Sequence, residues 1–212
     1  MESHPICIST DAVALDGQLE IPDRPRGIVL FAHGSGSSRH SPRNVQVAAV
    51  LHRSGFATLL FDLLTEHEAA DRRHVFDVPV LARRLRCAAE AVRAMAPTSA
   101  LPMGYFGAST GAAAALVAAV TDARIGAVVS RGGRPDLAWD ALPHVTAPTL
   151  LIVGELDHDV LRMNRDALAR LGGRKELTIV PGATHLFEER GTLDMAARLA
   201  ADWFTAHLSV ES

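Results

Sequence analysis

Cysteine is scarce in this sequence: Cys7 and Cys87 are the two in 212 residues, far apart and set among apolar neighbours. A disulfide framework draws on more thiols than that, so both are expected to be reduced and buried. Long apolar runs are missing as well. The longest, Ala112 to Val120, has nine residues, whereas a membrane-spanning helix needs roughly 17 to 25. Positive charge is not in excess, because 21 basic against 24 acidic side chains leave a formal charge of -3. Such a balance gives no electrostatic footprint for nucleic acid or for an anionic membrane surface. The opening Met-Glu-Ser-His-Pro lacks the basic start and apolar stretch of a secretory signal, so a cytoplasmic location is expected. What is present is the composition of an ordinary folded protein, 48% apolar and 21% charged. The length suits a single domain over residues 1–212, with no internal repeat, low-complexity tract or linker.

Apolar runs read against Gly and Pro punctuation predict two antiparallel edge strands, Ile6 to Ser9 and Val13 to Ile21. A regular alternation follows. Strands are expected at Gly27 to Ala32, Phe56 to Phe61, Met103 to Phe106, Ile125 to Val129, Thr149 to Val153 and Leu177 to Val180. Between and after them, helices are expected at about Asn44 to Arg53, Pro79 to Met95, Gly111 to Val120, Leu161 to Leu171 and Thr192 to His207. A polar segment, Thr65 to Asp77, separates the fourth strand from its helix. Parallel neighbours need crossovers, and the helices must bury their apolar stripes on the sheet. The fold class is therefore α/β, a mostly parallel, doubly wound sheet of about seven to eight strands with helices on both faces.

Reactive groups in such sheets collect outside the carboxyl ends of the strands. In chain order those ends carry His33-Gly34-Ser35-Gly36, Asp62, Gly107-Ala108-Ser109-Thr110-Gly111, Ser130-Arg131, Gly154-Glu155-Leu156-Asp157 and Gly182-Ala183-Thr184-His185. The third of these fits G-x-S-x-G between a strand and a helix, the setting that the motif's mechanics require. A sharp turn there lifts Ser109 Oγ clear of the sheet at a helix N-terminus, where the Thr110 amide can face an oxyanion. Serine needs a base to take its proton, and the base needs an acid to fix its tautomer. His185 and Asp157 supply both, with Asp159 a rival acid two residues on. The order Ser, Asp, His is the one found in α/β hydrolases. The Ser35 amide, in a glycine-flanked turn, is the candidate second oxyanion donor, and His33 reads as a turn-ordering residue.

Taken together, the HGSGSS turn, the GASTG elbow, the GELDHDV loop and the GATHLF segment resemble the α/β-hydrolase superfamily, in particular its dienelactone-hydrolase-like branch. The likeness runs from about residue 12 to the end. It implies an α/β-hydrolase fold with Ser109 as nucleophile, His185 as general base and then acid, Asp157 as orienting carboxylate and the amides of Ser35 and Thr110 as oxyanion hole. Dienelactone hydrolases proper use a cysteine at the elbow, so their substrate does not carry over to Ser109. Only the short stretch from Ser130 to Pro148 separates the sixth and seventh strands, which leaves little or no lid and points to a small, soluble ester or thioester. No metal or organic cofactor is needed for that chemistry.

Other readings compete. Gly34-Ser35-Gly36 followed by Asp62 imitates a dinucleotide-binding unit, but Arg39 stands where its third glycine belongs, and no G-x-x-x-x-G-K-[ST] occurs. Hydrolase-like folds also serve as non-catalytic binding proteins, and acyl transfer uses the same constellation as hydrolysis. Glu66, His67, Glu68, Asp71 and His74 lack a recognised metal-ligand spacing and read as a solvated loop. Arg131, just after a strand end, is a candidate to pair with a substrate carboxylate at the rim of the site, its alternative being a structural salt bridge.

Overall fold

The computed structural model describes residues 1–10 and 13–208. Among the described residues, eight strands form one sheet: β1 (Glu2–Ser9), β2 (Ala14–Ile21), β3 (Gly27–Ala32), β4 (Phe56–Phe61), β5 (Met103–Ala108), β6 (Ile125–Arg131), β7 (Thr149–Gly154) and β8 (Lys175–Val180). Their order across the sheet is β1-β2-β4-β3-β5-β6-β7-β8. β2 runs antiparallel to both β1 and β4, and all remaining neighbours are parallel. The helices are α1 (Pro42–Arg53), α2 (Glu66–Ala69), α3 (Arg72–Val75), α4 (Val78–Arg93), α5 (Thr110–Val120), α6 (His158–Arg170) and α7 (Thr192–His207). Among the described residues, no helix is long and apolar enough to cross a membrane.

Side chains alternate between the two faces of a strand, and the core divides accordingly. Ile28, Leu30 and Ala32 of β3 pack into the cluster under α4 and α5, whereas Val29 and Phe31 pack into the cluster under α1 and α7. With both faces covered, every residue of β3, β4, β5 and β7 is buried. That burial is why these strands read as unbroken apolar runs rather than as alternating ones.

Element boundaries differ from the sequence expectation where polar caps or polar strand ends set them. α1 starts at Pro42, not near Asn44, because the Ser41 side chain accepts from the Asn44 amide and Pro42 fits the first turn. The Thr65 to Asp77 segment folds into α2, closed by a capping box between Thr65 and Glu68, and α3, capped by Asp71. β6 continues to Arg131, so Ser130 and Arg131 are buried strand residues and not the start of a loop. The cysteine expectation fails on burial, since Cys7 is exposed and Cys87 only half-buried, whereas both are free thiols as expected. Cys7 lies between Ile6 and Ile8 on the edge strand, and the alternation that turns those two inward turns the thiol out.

One ion pair anchors the polar segment to the core. Arg84, its side chain 5% exposed, donates to both Glu68 oxygens at 2.8 and 2.7 Å and to the Leu63 carbonyl at 2.8 Å. Its guanidinium holds the Glu68 carboxyl down to about 2, below the ordinary 4.5. A carboxyl with a depressed folded value contributes stability that is present above about pH 4.5 and is lost as the pH falls toward 2. Glu68→Gln is expected to lower stability by about 3 kcal/mol near pH 7, since it strands a buried guanidinium. The gap from wild type should close in acid, which urea midpoints at neutral and acidic pH would measure.

Candidate active site

The site begins with a backbone strain. Ser109 adopts φ 51° and ψ −121° between β5 and α5, a conformation that side-chain-bearing residues rarely take. Two glycines make the turn feasible. A Cβ on Gly111 would overlap the Ala32 carbonyl oxygen, and one on Gly107 would overlap the Ala112 backbone. The Ala-rich α5 therefore lies directly on the sheet, and Thr110 opens it with an amide that has no acceptor one turn back.

Asp157 and His185 come from the two loops that follow β7 and β8. These loops are laced together: Glu155 N donates to Val180 O at 3.0 Å, Leu156 N to Ala183 O at 2.9 Å, and Gly182 N to the Glu155 carboxylate at 2.8 Å. Gly154 allows the approach, because a Cβ there would overlap the Ala183 carbonyl oxygen. His185 Nδ1 and Asp157 Oδ2 are 2.6 Å apart. An ionised carboxylate can only accept, so in that pair Nδ1 carries the hydrogen, which in the neutral imidazole leaves the lone pair on Nε2. Asp159, the rival acid, is an exposed residue of α6 that pairs with Arg162 at 3.0 Å. Thr184 donates through its amide and its hydroxyl to Glu189 at 3.1 and 2.6 Å, closing the loop that carries His185.

Ser109, His185, Ser35 and Arg131 line one cavity of about 220 Å³. No direct hydrogen bond joins Ser109 Oγ to His185 among the described residues; such contacts often tighten only around a substrate. Gly34 passes close beside the elbow, where an added Cβ would meet Ser109 Cβ at 3.1 Å, so the Ser35 turn is held next to the serine. His33 fixes that turn. Its Nε2 accepts from the Leu63 amide at 2.9 Å, which leaves Nδ1 to donate to the Gly34 carbonyl at 3.0 Å. Burial lowers its pKa and favours this neutral form. Arg39 ties the same turn to Asp62, donating its amide at 2.7 Å and forming an ion pair, so the carboxylate that imitated a ribose-binding acid is already engaged.

The sequence reading missed three features of this site. Gly132 takes φ 53° directly beneath His185, where a Cβ would lie 3.3 Å from the His185 carbonyl oxygen. Arg43 and Asn44, from the first turn of α1, complete the cavity wall. The Ser-Pro signature of a helix start at Ser41-Pro42 was the available clue, because α1 follows β3 and opens at the same sheet edge. Arg131 forms no salt bridge among the described residues, which removes the structural alternative weighed for it. A larger groove of about 590 Å³ lies between β2 and α1, but its walls carry no serine, threonine or cysteine.

A family model described as an alpha/beta hydrolase domain matches residues 25–203. Among solved structures, dienelactone hydrolase from Anabaena variabilis is 54% identical with a TM-score of 0.94, and 98% of each chain is covered. The esterase domain of a Rhodothermus marinus protein has a TM-score of 0.79 over 99% of this chain and 100% of its own at 18% identity, a likeness of fold alone. A relative in two strains of Mycobacterium tuberculosis, provisionally named a phosphoribosyl transferase, is 60% identical over 198 residues, 92% of this chain. The chain spans 44% of that relative's length.

The His33 geometry has a pH signature. Its folded pKa lies below the ordinary 6.5, so its contribution is complete above that value and is lost as the pH falls and the unfolded imidazole takes up a proton. His33→Leu, which orphans the Leu63 amide, is expected to cost about 2 kcal/mol near neutral pH. Its stability should also fall less steeply than that of wild type between about pH 7 and 5 in equilibrium urea unfolding.

Proposed function

Because the chain belongs to the alpha/beta-hydrolase family, we propose that it is a serine hydrolase cleaving an ester or thioester of a small molecule through an acyl-serine intermediate. In this reading Ser109 Oγ attacks the acyl carbon while His185 Nε2 takes its proton. Asp157 holds the imidazole in the required tautomer and stabilises the imidazolium. The amides of Thr110 and Ser35 receive the oxyanion as the carbonyl becomes tetrahedral. His185 then protonates the leaving group, and the same base activates water to release the acid. The observation that carries the proposal is the 2.6 Å contact between His185 and Asp157, with a strained Ser109 on the wall of the same cavity.

The connection from β6 to β7 supports a small substrate, since it holds only two short 3₁₀ turns, Pro135–Ala138 and Leu142–His144, and no inserted helix to roof the site. The transferase name attached to the Mycobacterium tuberculosis relative belongs to a protein of which this chain spans less than half. The residue types gathered here are those of acyl transfer, and we adopt the hydrolase reading. An acceptor other than water would use the same groups and would show as ester turnover that rises with added alcohol or thiol.

A fluorophosphonate probe is expected to label the wild type and not Ser109→Ala. On p-nitrophenyl esters of increasing chain length, short acyl groups should react fastest. Ser109→Ala should lose at least about 10³-fold in kcat, and Asp157→Asn about 10²- to 10⁴-fold. A wild type that resists the probe and turns over no ester or thioester would instead favour a non-catalytic binding protein.

A further inference from the structure

One charged side chain in the cavity has no hydrogen-bond or ion-pair partner for its guanidinium among the described residues. Arg131 ends β6 beside the elbow, and its carbonyl accepts from the Ser109 amide at 3.2 Å. The residue is 7% exposed, and its Nε and Nη1 are buried without a hydrogen-bond acceptor. Its guanidinium carbon lies 5.7 Å from the centre of the Phe187 ring, a contact that does not replace an anion. Those two nitrogens carry three N–H donors, and burying that many donors of a charged group unshared is among the least favourable arrangements a folded chain can hold. Arg43, close enough to add its repulsion to the effect of burial, helps push the Arg131 pKa down to about 10, which still leaves it charged near neutral pH. The charged side chains that line the cavity are of one sign, Asp157 lying behind His185. Arg43 and Asn44 bring the N-terminus of the twelve-residue α1 to the cavity wall, and no Asp or Glu is among the residues that line it. Glu188 meets Arg43 outside the cavity, at 3.4 Å.

We propose that the substrate carries an oxyanion of its own, a carboxylate or a phosphate, which Arg131 receives together with Arg43 and the N-terminus of α1 while the scissile carbonyl lies at Ser109. The substrate class is thus an anionic ester, a conclusion that rests on the serine-hydrolase reading. The binding site for the anion does not depend on that reading. A forked guanidinium suits two oxygens at once, so lysine is a poor replacement.

Binding is tested first without turnover, by titrating inorganic phosphate or succinate into Ser109→Ala and following thermal unfolding. At least one of the two anions should raise the melting temperature saturably, the effect should vanish when Arg131→Met is added, and Arg131→Lys should restore it only in part. Which anion acts identifies the phosphate or the carboxylate source. Without anion, Arg131→Met should melt higher than its parent, because the stranded charge is gone; a residue that merely braces Phe187 would give the opposite sign. Should Arg131→Met not fold, Arg43→Gln is expected to weaken the same anion shift. In turnover, p-nitrophenyl hemisuccinate or the p-nitrophenyl ester of phosphonoacetic acid should exceed p-nitrophenyl butyrate in kcat/KM, and Arg131→Met should cut that preference roughly ten- to hundredfold, chiefly through KM. Normal fluorophosphonate labelling with no anion shift and no charge preference would overturn the anion site and leave the hydrolase. Absent labelling with the anion shift intact would do the reverse.

Discussion

The structure depends above all on how closely α5 can approach the sheet. Gly107 and Gly111 leave no atoms between the helix and the backbones of β3 and β5, and only at that distance can the chain turn from strand to helix within Ser109. The strained φ of 51° is a consequence of that closure, sustained because nine residues of α5 are buried and cannot back away. Alanine after alanine along the helix meets the same demand, since a larger side chain would lift the helix off and relax the turn. The placement of the hydroxyl is thus secured by packing far from any reacting atom.

Much of this was legible in the sequence because burial on both faces writes itself as continuous apolar runs. All eight strands and the five longer helices overlap the segments expected for them, although several of their ends lie two to four residues away. Terminal residues were harder to place. Arg131 is a strand residue that no pattern of hydrophobicity would extend a strand to include, because its burial follows from the cavity and not from apolar packing. Cys7 shows the converse. Its apolar neighbours suggested burial, yet an edge strand has one covered face, and the thiol occupies the other.

The residues proposed for chemistry were legible to different degrees. Ser109 announces itself, because a glycine on each side at a strand end has a steric meaning. Asp157 could be separated from Asp159 only by the fold, which spends Asp159 on the surface of α6 and turns Asp157 toward His185. Gly132 was invisible, since its purpose is to leave room for a ring contributed by a segment more than fifty positions away. Arg43 and Asn44 were invisible for a similar reason, as helix surface residues are read by their period and not by the rim they overlook.

The lacing of the loops after β7 and β8 affects how such a chain can diversify. Because the loops that carry Asp157 and His185 share three cross-links, they behave as one body, and an added or deleted residue in either would move both side chains off register with Ser109. The connection between β6 and β7 is held to the site at its start, where Gly132 underlies His185 and the Arg134 amide donates to the Ser109 carbonyl at 3.2 Å. Beyond Arg134, no hydrogen bond ties it to Asp157 or His185 among the described residues. New segments can be grafted there to reshape what enters the cavity, while the reacting groups keep their mutual spacing.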